Sequence, residues 1–256
     1  MSEPLLGVSD ISLSFRGVKA LSELSFSVAN GEICALIGPN GAGKSSLLNI
    51  INGVYRANSG QIMFDGEPFQ RPTPMAAAER GIARTFQNNA LFHRMSVMDN
   101  VLTGLTRLGR STFLEIAFRA GRHSAERRSF RRRADEILDF LEIAPYRETV
   151  VGSLPYGLQK RVEFARALVA SPKLLLLDEP MAGMNADEKS VLGRFISNVN
   201  QALETTIVLI EHDIGVVMGL SHHVVVLDYG KKVGDGTPEE VRRHPDVIAA
   251  YLGVKH

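Results

Sequence analysis

Hydrophobic and polar residues alternate through the first part of the chain. Ile11-Ser12-Leu13-Ser14-Phe15 and Leu24-Ser25-Phe26-Ser27-Val28 change character at every step, the pattern of strands buried on one face. After Asn30-Gly31 the alternation gives way to Ile33-Cys34-Ala35-Leu36-Ile37, an unbroken apolar run that suits a strand covered on both faces. A glycine-rich loop follows, then a helical pattern from Ser45 to Asn52 that stops at Gly53. Gln61 to Phe64 reads as a short strand closed by the turn pair Asp65-Gly66. From about Met95 to Ser153 strand signals vanish and helix-period segments take over, notably Val97 to Leu108 and Arg131 to Leu141. Strand and helix then alternate again. A helix is expected from Gly157 to Ala170, a strand at Leu174 to Asp178, a helix from Asp187 to Leu203 and a strand at Thr206 to Glu211. A further strand at His223 to Asp228 and a short helical tail complete the chain. This order predicts an α/β core, residues 1–94 and 156–256, interrupted by a helical insertion at 95–155.

With 256 residues and 45% hydrophobic content the chain can bury a sizeable core. Its formal charge of +1 argues against life on nucleic-acid phosphates, which calls for a stronger basic excess, so no nucleic-acid partner is expected. A single cysteine, Cys34, allows no internal disulfide and fits a reducing compartment, and its apolar surroundings read as core rather than as a reactive thiol. Met1-Ser2-Glu3-Pro4 lacks the features of a signal peptide. The longest apolar runs, Ile207 to Ile210 and Val224 to Leu227, are strand-sized, far short of the ~20 residues that span a bilayer. A cytoplasmic chain is expected, with any membrane role arising through partners.

The loop carries the sharpest chemistry. Gly38-Pro39-Asn40-Gly41-Ala42-Gly43-Lys44-Ser45 matches G-x-x-x-x-G-K-[ST] in full. Glycines let the backbone wrap phosphates closely and aim its N–H groups inward. The helix that begins there adds the positive end of its dipole. Lys44 offers a point charge to β- and γ-phosphates, and the Ser45 hydroxyl suits Mg²⁺. The bland reading is an ordinary glycine turn, but chance produces this match in roughly one chain per hundred of this length, and the flanking strand and helix lower that further.

Leu174-Leu175-Leu176-Leu177-Asp178-Glu179 is an apolar strand ending in two acids. In enzymes with such a phosphate loop an aspartate here completes the Mg²⁺ shell through water. The next acid, Glu179, is placed to orient or deprotonate an attacking water. Thr206 to Glu211 repeats the arrangement and ends in Glu211-His212-Asp213. A lone histidine is more often structural, but one just past a central strand is also well placed to meet a γ-phosphate.

Taken in this order, the pieces resemble the ATP-binding cassette family over essentially the whole chain. Leu154-Pro155-Tyr156-Gly157-Leu158-Gln159-Lys160-Arg161-Val162 resembles the family's signature segment, usually L-S-G-G-Q. Leu154 and Gly157 agree in register, and Gln159-x-Arg161-Val162 matches the family's next few positions. The resemblance implies a P-loop NTPase core of the ABC ATPase type, with an antiparallel β subdomain and an inserted α-helical subdomain ending in the signature. It implies ATP hydrolysis coupled to transport. It assigns Phe15, by itself a strand core residue, to stacking on adenine, and Gly38, Pro39, Asn40, Gly41, Ala42, Gly43, Lys44, Ser45 and Ser46 to the phosphates. Mg²⁺ would rest on Ser45, Gln87 and Asp178, with Glu179 as base and His212 on the γ-phosphate. Pro155, Tyr156 and Gly157 would cap the ATP of the opposite subunit, and Met181 to Asn185 would form the loop that crosses to it. Two positions depart from the family pattern. Pro155 stands where the signature has serine, and Asn185 where the crossing loop ends in aspartate. Both lead to the expectation of a heterodimer in which a sister cassette supplies a standard signature.

Ala83-Arg84-Thr85-Phe86-Gln87-Asn88, Leu154-Pro155-Tyr156-Gly157, Pro180 to Asn185 and Glu211-His212-Asp213 resemble the importer ATPases for branched-chain amino acids. So do Asp235-Gly236-Thr237-Pro238 and Ala250-Tyr251-Leu252-Gly253. That resemblance implies a second ATPase subunit, two transmembrane permease subunits and, indirectly, a periplasmic binding protein, with this chain peripheral on the inner face of the plasma membrane. The alternatives are importers of urea or amides, a lipopolysaccharide exporter, and a soluble ABC ATPase outside transport. The insertion is also rich in arginine between Arg107 and Arg133, including Arg110, Arg119, Arg122, Arg127, Arg128, Arg131 and Arg132. This reads as a solvated helical face in preference to a lipid-binding one.

Overall fold

The computed structural model describes residues 3–70, 72–85, 90–106 and 122–244, and of 122–124 the backbone alone. Gln87, the arginines at 107, 110 and 119 and the segment 250–253 lie outside these residues.

Two sheets organise the described residues. Strands β1 (Leu6–Phe15), β2 (Val18–Val28), β4 (Ser59–Phe64) and β5 (Glu67–Pro68) form an antiparallel sheet in the order β2-β1-β4-β5. Along β1 the buried side chains are Leu6, Val8, Ile11 and Leu13. The step from Val8 to Ile11 breaks strict alternation because the register shifts there, with Asp10 at φ 51°. The second sheet joins β3 (Ile33–Ile37), β6 (Ile82–Arg84), β7 (Leu174–Asp178), β8 (Thr206–Ile210), β9 (His223–Asp228) and β10 (Lys231–Gly236) in the order β10-β9-β3-β8-β7-β6. It is parallel apart from the antiparallel pair of β9 and β10. Every residue of β3, β7 and β8 is buried, as strands covered on both faces require.

The helices are α1 (Lys44–Ile51), α2 (Pro74–Glu79), α3 (Val97–Thr103), α4 (Arg122–Phe140), α5 (Tyr156–Leu168), α6 (Ala186–Leu203), α7 (Ile214–Leu220) and α8 (Pro238–Arg243). Alternate side chains of the parallel strands serve different layers. Cys34, Leu36, Leu174, Leu176, Val208 and Ile210 pack with α1 and the antiparallel sheet. Ile33, Leu175, Leu177, Ile207 and Leu209 pack with α3, α4, α5 and α6. Among the described residues no helix is long and apolar enough to cross a membrane.

Several elements differ from the sequence expectation. Helix α3, expected to run from Val97 to Leu108, has its last residue at Thr103, and at its C-cap, Gly104, the backbone of α5 crosses closely. A Cβ on Gly104 would lie 2.2 Å from the Arg166 carbonyl oxygen. Strand β10 and helices α2 and α7 carry no sequence periodicity. The polar stretch Lys231 to Gly236 is strand because β9 pairs with it. Helix α7, with two glycines in seven residues, is opened by Asp213, whose Oδ1 accepts the N–H groups of Gly215 and Val216.

Candidate functional site

The phosphate loop leaves the buried end of β3. Gly38 adopts φ 147°, and a Cβ there would stand 2.0 Å from the Leu227 carbonyl oxygen, so β9 demands glycine at this position. Gly43, at φ 101°, precedes α1 without any side-chain cap. The first N–H groups of that helix are thereby left for a ligand, an arrangement suited to an anion. The loop is braced from behind, since Gly230 N–H donates to the Ala42 carbonyl at 3.1 Å and its own carbonyl accepts from Ser22. Lys44 is buried, its Nζ donating to the carbonyls of Gly38 at 2.7 Å and Pro39 at 3.0 Å. Burial lowers its pKa, with the Glu179 and Asp178 carboxylates pulling the other way. A cavity of 290 Å³ is lined by Ala20, by Asn40 through Ser46, and by Glu179.

Parallel pairing brings the acids to this cavity. Asp178 lies opposite Ile210 in the β7–β8 register, so the residues just past the two strands meet. Glu179 has φ 49°, and its N–H donates to the Ile210 carbonyl at 3.0 Å. His212 Nε2 stands 2.6 Å from Glu179 Oε1. An ionised carboxylate only accepts, so the shared proton belongs to Nε2. Asp178 is buried, with Oδ2 bonded to Arg84 at 2.8 Å, and the same arginine reaches Asn49 Oδ1 at 2.6 Å. Its other oxygen, Oδ1, is buried without a hydrogen-bond partner among the described residues. An orphaned carboxylate oxygen beside a loop carrying the Ser45 hydroxyl fits a hard divalent cation. Mg²⁺ characteristically takes one or two protein oxygens and completes its shell with water and phosphate.

The structure thus gathers Lys44, Ser45, Ser46 and Glu179 at one cavity, with His212 held against Glu179 and Asp178 adjoining it in the chain. Phe15 does not line the cavity. It is 44% exposed at the end of β1 and packs edge-to-face on Tyr55, with ring centroids 5.2 Å apart. The core role that alternation gives it is therefore wrong. Pro155, Tyr156 and Gly157 also lie away from the cavity, at the start of α5 against residues 182–188. Asn185 caps α6. Its Oδ1 accepts Glu188 N–H at 2.9 Å, and Glu188 Oε2 accepts Asn185 N–H at 3.0 Å.

Two residues escaped the sequence reading. Arg84 is the buried partner of Asp178, a pairing set by the β6–β7 neighbourhood that no local pattern signals. Glu211 is buried and accepts the N–H groups of Met181 at 2.9 Å and His212 at 3.1 Å. Burial raises its pKa against the pull of those bonds. An acid directly before the histidine was its only signal.

Comparison with known proteins places these features. The family model described as ABC transporter matches residues 21–182, and one described as branched-chain amino acid ATP-binding cassette transporter matches residues 231–256. The chain is 37% identical over 253 residues to the high-affinity branched-chain amino acid transport ATP-binding protein BraF of Pseudomonas aeruginosa, covering 99% of each. It is equally 37% identical, over 260 residues and 99% of each chain, to LivG of Escherichia coli, whose name describes the same role. Among solved structures, the ADP conformation of an ATP-binding cassette of an ABC transporter superposes with a TM-score of 0.85 at 29% identity, covering 98% of this chain and 100% of that one. A nucleotide-free ABC cassette gives 0.83, also at 29% identity, over 97% and 99%. The chain belongs to the ABC transporter family, as an ATP-binding cassette whose activity is ATP hydrolysis.

Proposed function

We propose that this chain is one of two motor subunits of an importer for branched-chain amino acids. The observation that supports the chemistry is the Glu179–His212 pair, 2.6 Å apart at the edge of the phosphate-loop cavity. The substrate rests on the C-terminal family match and on the names of full-length relatives. ATP lies with its phosphates in the loop from Gly38 to Ser46 and its adenine on Phe15, whose exposed ring is available for stacking. Ser45, Asp178 and Gln87 would hold Mg²⁺, which when bound neutralises phosphate charge. Glu179 accepts the proton of the attacking water, while His212 fixes the carboxylate and faces the γ-phosphate. Lys44 stabilises the charge that develops on the phosphates.

The signature turn at Pro155, Tyr156 and Gly157 covers the nucleotide of a second, sister cassette, and Met181 to Asn185 cross to it. Asn185 keeps the helix cap that an aspartate would make, so this departure alters charge and leaves the local fold intact. Residues 95–155 act as the inserted helical subdomain between core segments 1–94 and 156–256. Between insertion and core runs a groove of 550 Å³ whose walls include Arg84, Ala90, Phe92, Gly104 and Arg166. Phe92 is 53% exposed there, and the groove suits a short helix of one of two permease subunits that the chain itself lacks. The chain would then sit peripherally on the inner membrane face, beneath permeases fed by a periplasmic binding protein.

Copurification from native membranes tests this reading. Two permeases and a second cassette, with leucine binding by the accompanying periplasmic protein, are the expected result. Binding of urea or short amides instead would replace the substrate. Recovery with lipopolysaccharide-export components, or with no membrane partner, would overturn the importer.

A further inference from the structure

We propose that Tyr156 is a positioning residue that ties the signature turn, which serves the sister cassette's nucleotide, to this chain's own hydrolytic pair. The inference rests on the two-cassette reading above. Pro155 starts α5 with no side-chain cap; Gln159 Nε2 holds the Leu154 carbonyl at 2.9 Å within the turn, and Tyr156 reaches from it to the crossing loop by a hydrogen bond. The Tyr156 hydroxyl donates to the Ala182 carbonyl at 3.1 Å. Gly183, at φ 77°, runs against the ring, where a Cβ would stand 3.5 Å from Cε1. One turn along α5, Lys160 Nζ sits 5.7 Å from the ring centroid, and its charge is paired with buried Glu163 at 3.2 Å. The ring is thus gripped between helix and crossing loop although it is 43% exposed.

From Ala182 the connection runs on without a gap. Its N–H donates to the Glu179 carbonyl at 3.2 Å. The preceding residue, Met181, donates its N–H to Glu211 Oε1, and Glu211 Oε2 accepts the N–H of His212, which holds Glu179. The far end of the loop also runs close to α5, where only glycine fits: a Cβ on Gly157 would lie 2.5 Å from Oε1 of Glu188, the other half of the α6 capping box. Displacing the start of α5 therefore pulls on the loop whose carbonyl Tyr156 holds, and through Met181 and Glu211 on the imidazole that orients Glu179. Closure of the signature on the sister's ATP is transmitted to this chain's base through one phenolic hydroxyl.

The test is Y156F, which removes the hydroxyl and keeps the ring, in the complex copurified from membranes. Y156A serves as the second variant. With the thermal midpoint unchanged, Y156F is expected to lower kcat about three- to tenfold, the worth of one neutral hydrogen bond, and by a larger factor than it shifts KM for ATP. Y156A is expected to fall at least as far. A complex with no second cassette overturns the two-cassette reading and this proposal with it. A complex containing one, in which Y156F turns over at the wild-type rate, overturns the positioning role alone.

Discussion

At φ 49° the backbone of Glu179 occupies the left-handed region, uncommon for a residue with a side chain and concentrated at functional positions. The strain has a local cause. Its N–H must turn back to the Ile210 carbonyl while its carboxylate meets His212. Replacing the carboxylate by an amide keeps shape and hydrogen bonding but removes the proton acceptor. E179Q is therefore expected to retain ATP binding while phosphate release falls by about 10²–10⁴-fold. Equilibrium nucleotide binding and phosphate release together check this, and wild-type turnover would remove Glu179 from the role of base. Residues of this kind were legible because their motifs are contiguous. Lys44 and Ser45 sit in one octapeptide, and Asp178 and Glu179 end one apolar run. Arg84 and Glu211 were not, because their partners are distant in sequence or are backbone groups, which leave no spacing to read.

Caps and registers decide what happens at the level of elements. Helix α6 opens with the reciprocal pair of Asn185 and Glu188. N185A should cost about 1 kcal/mol, whereas N185D keeps the acceptor, adds a charge favourable at a helix start and should leave stability at or slightly above that of wild type. Urea unfolding of both variants measures this, and equal losses would mean that the cap does not govern the helix. Strands with strong patterns, such as the five apolar residues of β3, could be predicted from sequence. Lys231 to Gly236 could not, since its only reason to be extended is the neighbour it pairs with. Helix α7 was hidden for a similar reason. Its start is set by the Asp213 side chain, and its glycines blur any apolar stripe.

For the molecule as a whole, His223 ties three strands of the larger sheet together. It opens β9, lies 2.5 Å from Asp235 of β10 and 3.4 Å from Glu32 just before β3, and packs against Cys34 within β3. Cys34 and Glu32 beside its ring, with Asp235 adding to them, raise its pKa to about 11, while burial pulls the other way and pushes the Cys34 thiol up. A raised histidine stabilises the fold fully below the unfolded value near 6.5 and loses that contribution as pH climbs towards 11. The lowered carboxyls of Glu32 and Asp235 act in acid, outside this window. Stability of the wild type should thus decline between about pH 7 and 9, below the range where the raised Cys34 thiol adds a loss of its own, and H223Q should decline less there. Parallel slopes in thermal unfolding across that range would contradict this. The strand order of the larger sheet also matters in time. Strand β3 carries the phosphate loop and lies between β8 and β9, with Ile33 paired to Ile207. Those neighbours leave the ribosome roughly 170 residues later, a delay of about ten seconds or more at ordinary rates of synthesis. Until then the growing polypeptide has no flanking strands against which to set the loop, so an ATP-consuming site should not form on an unfinished chain.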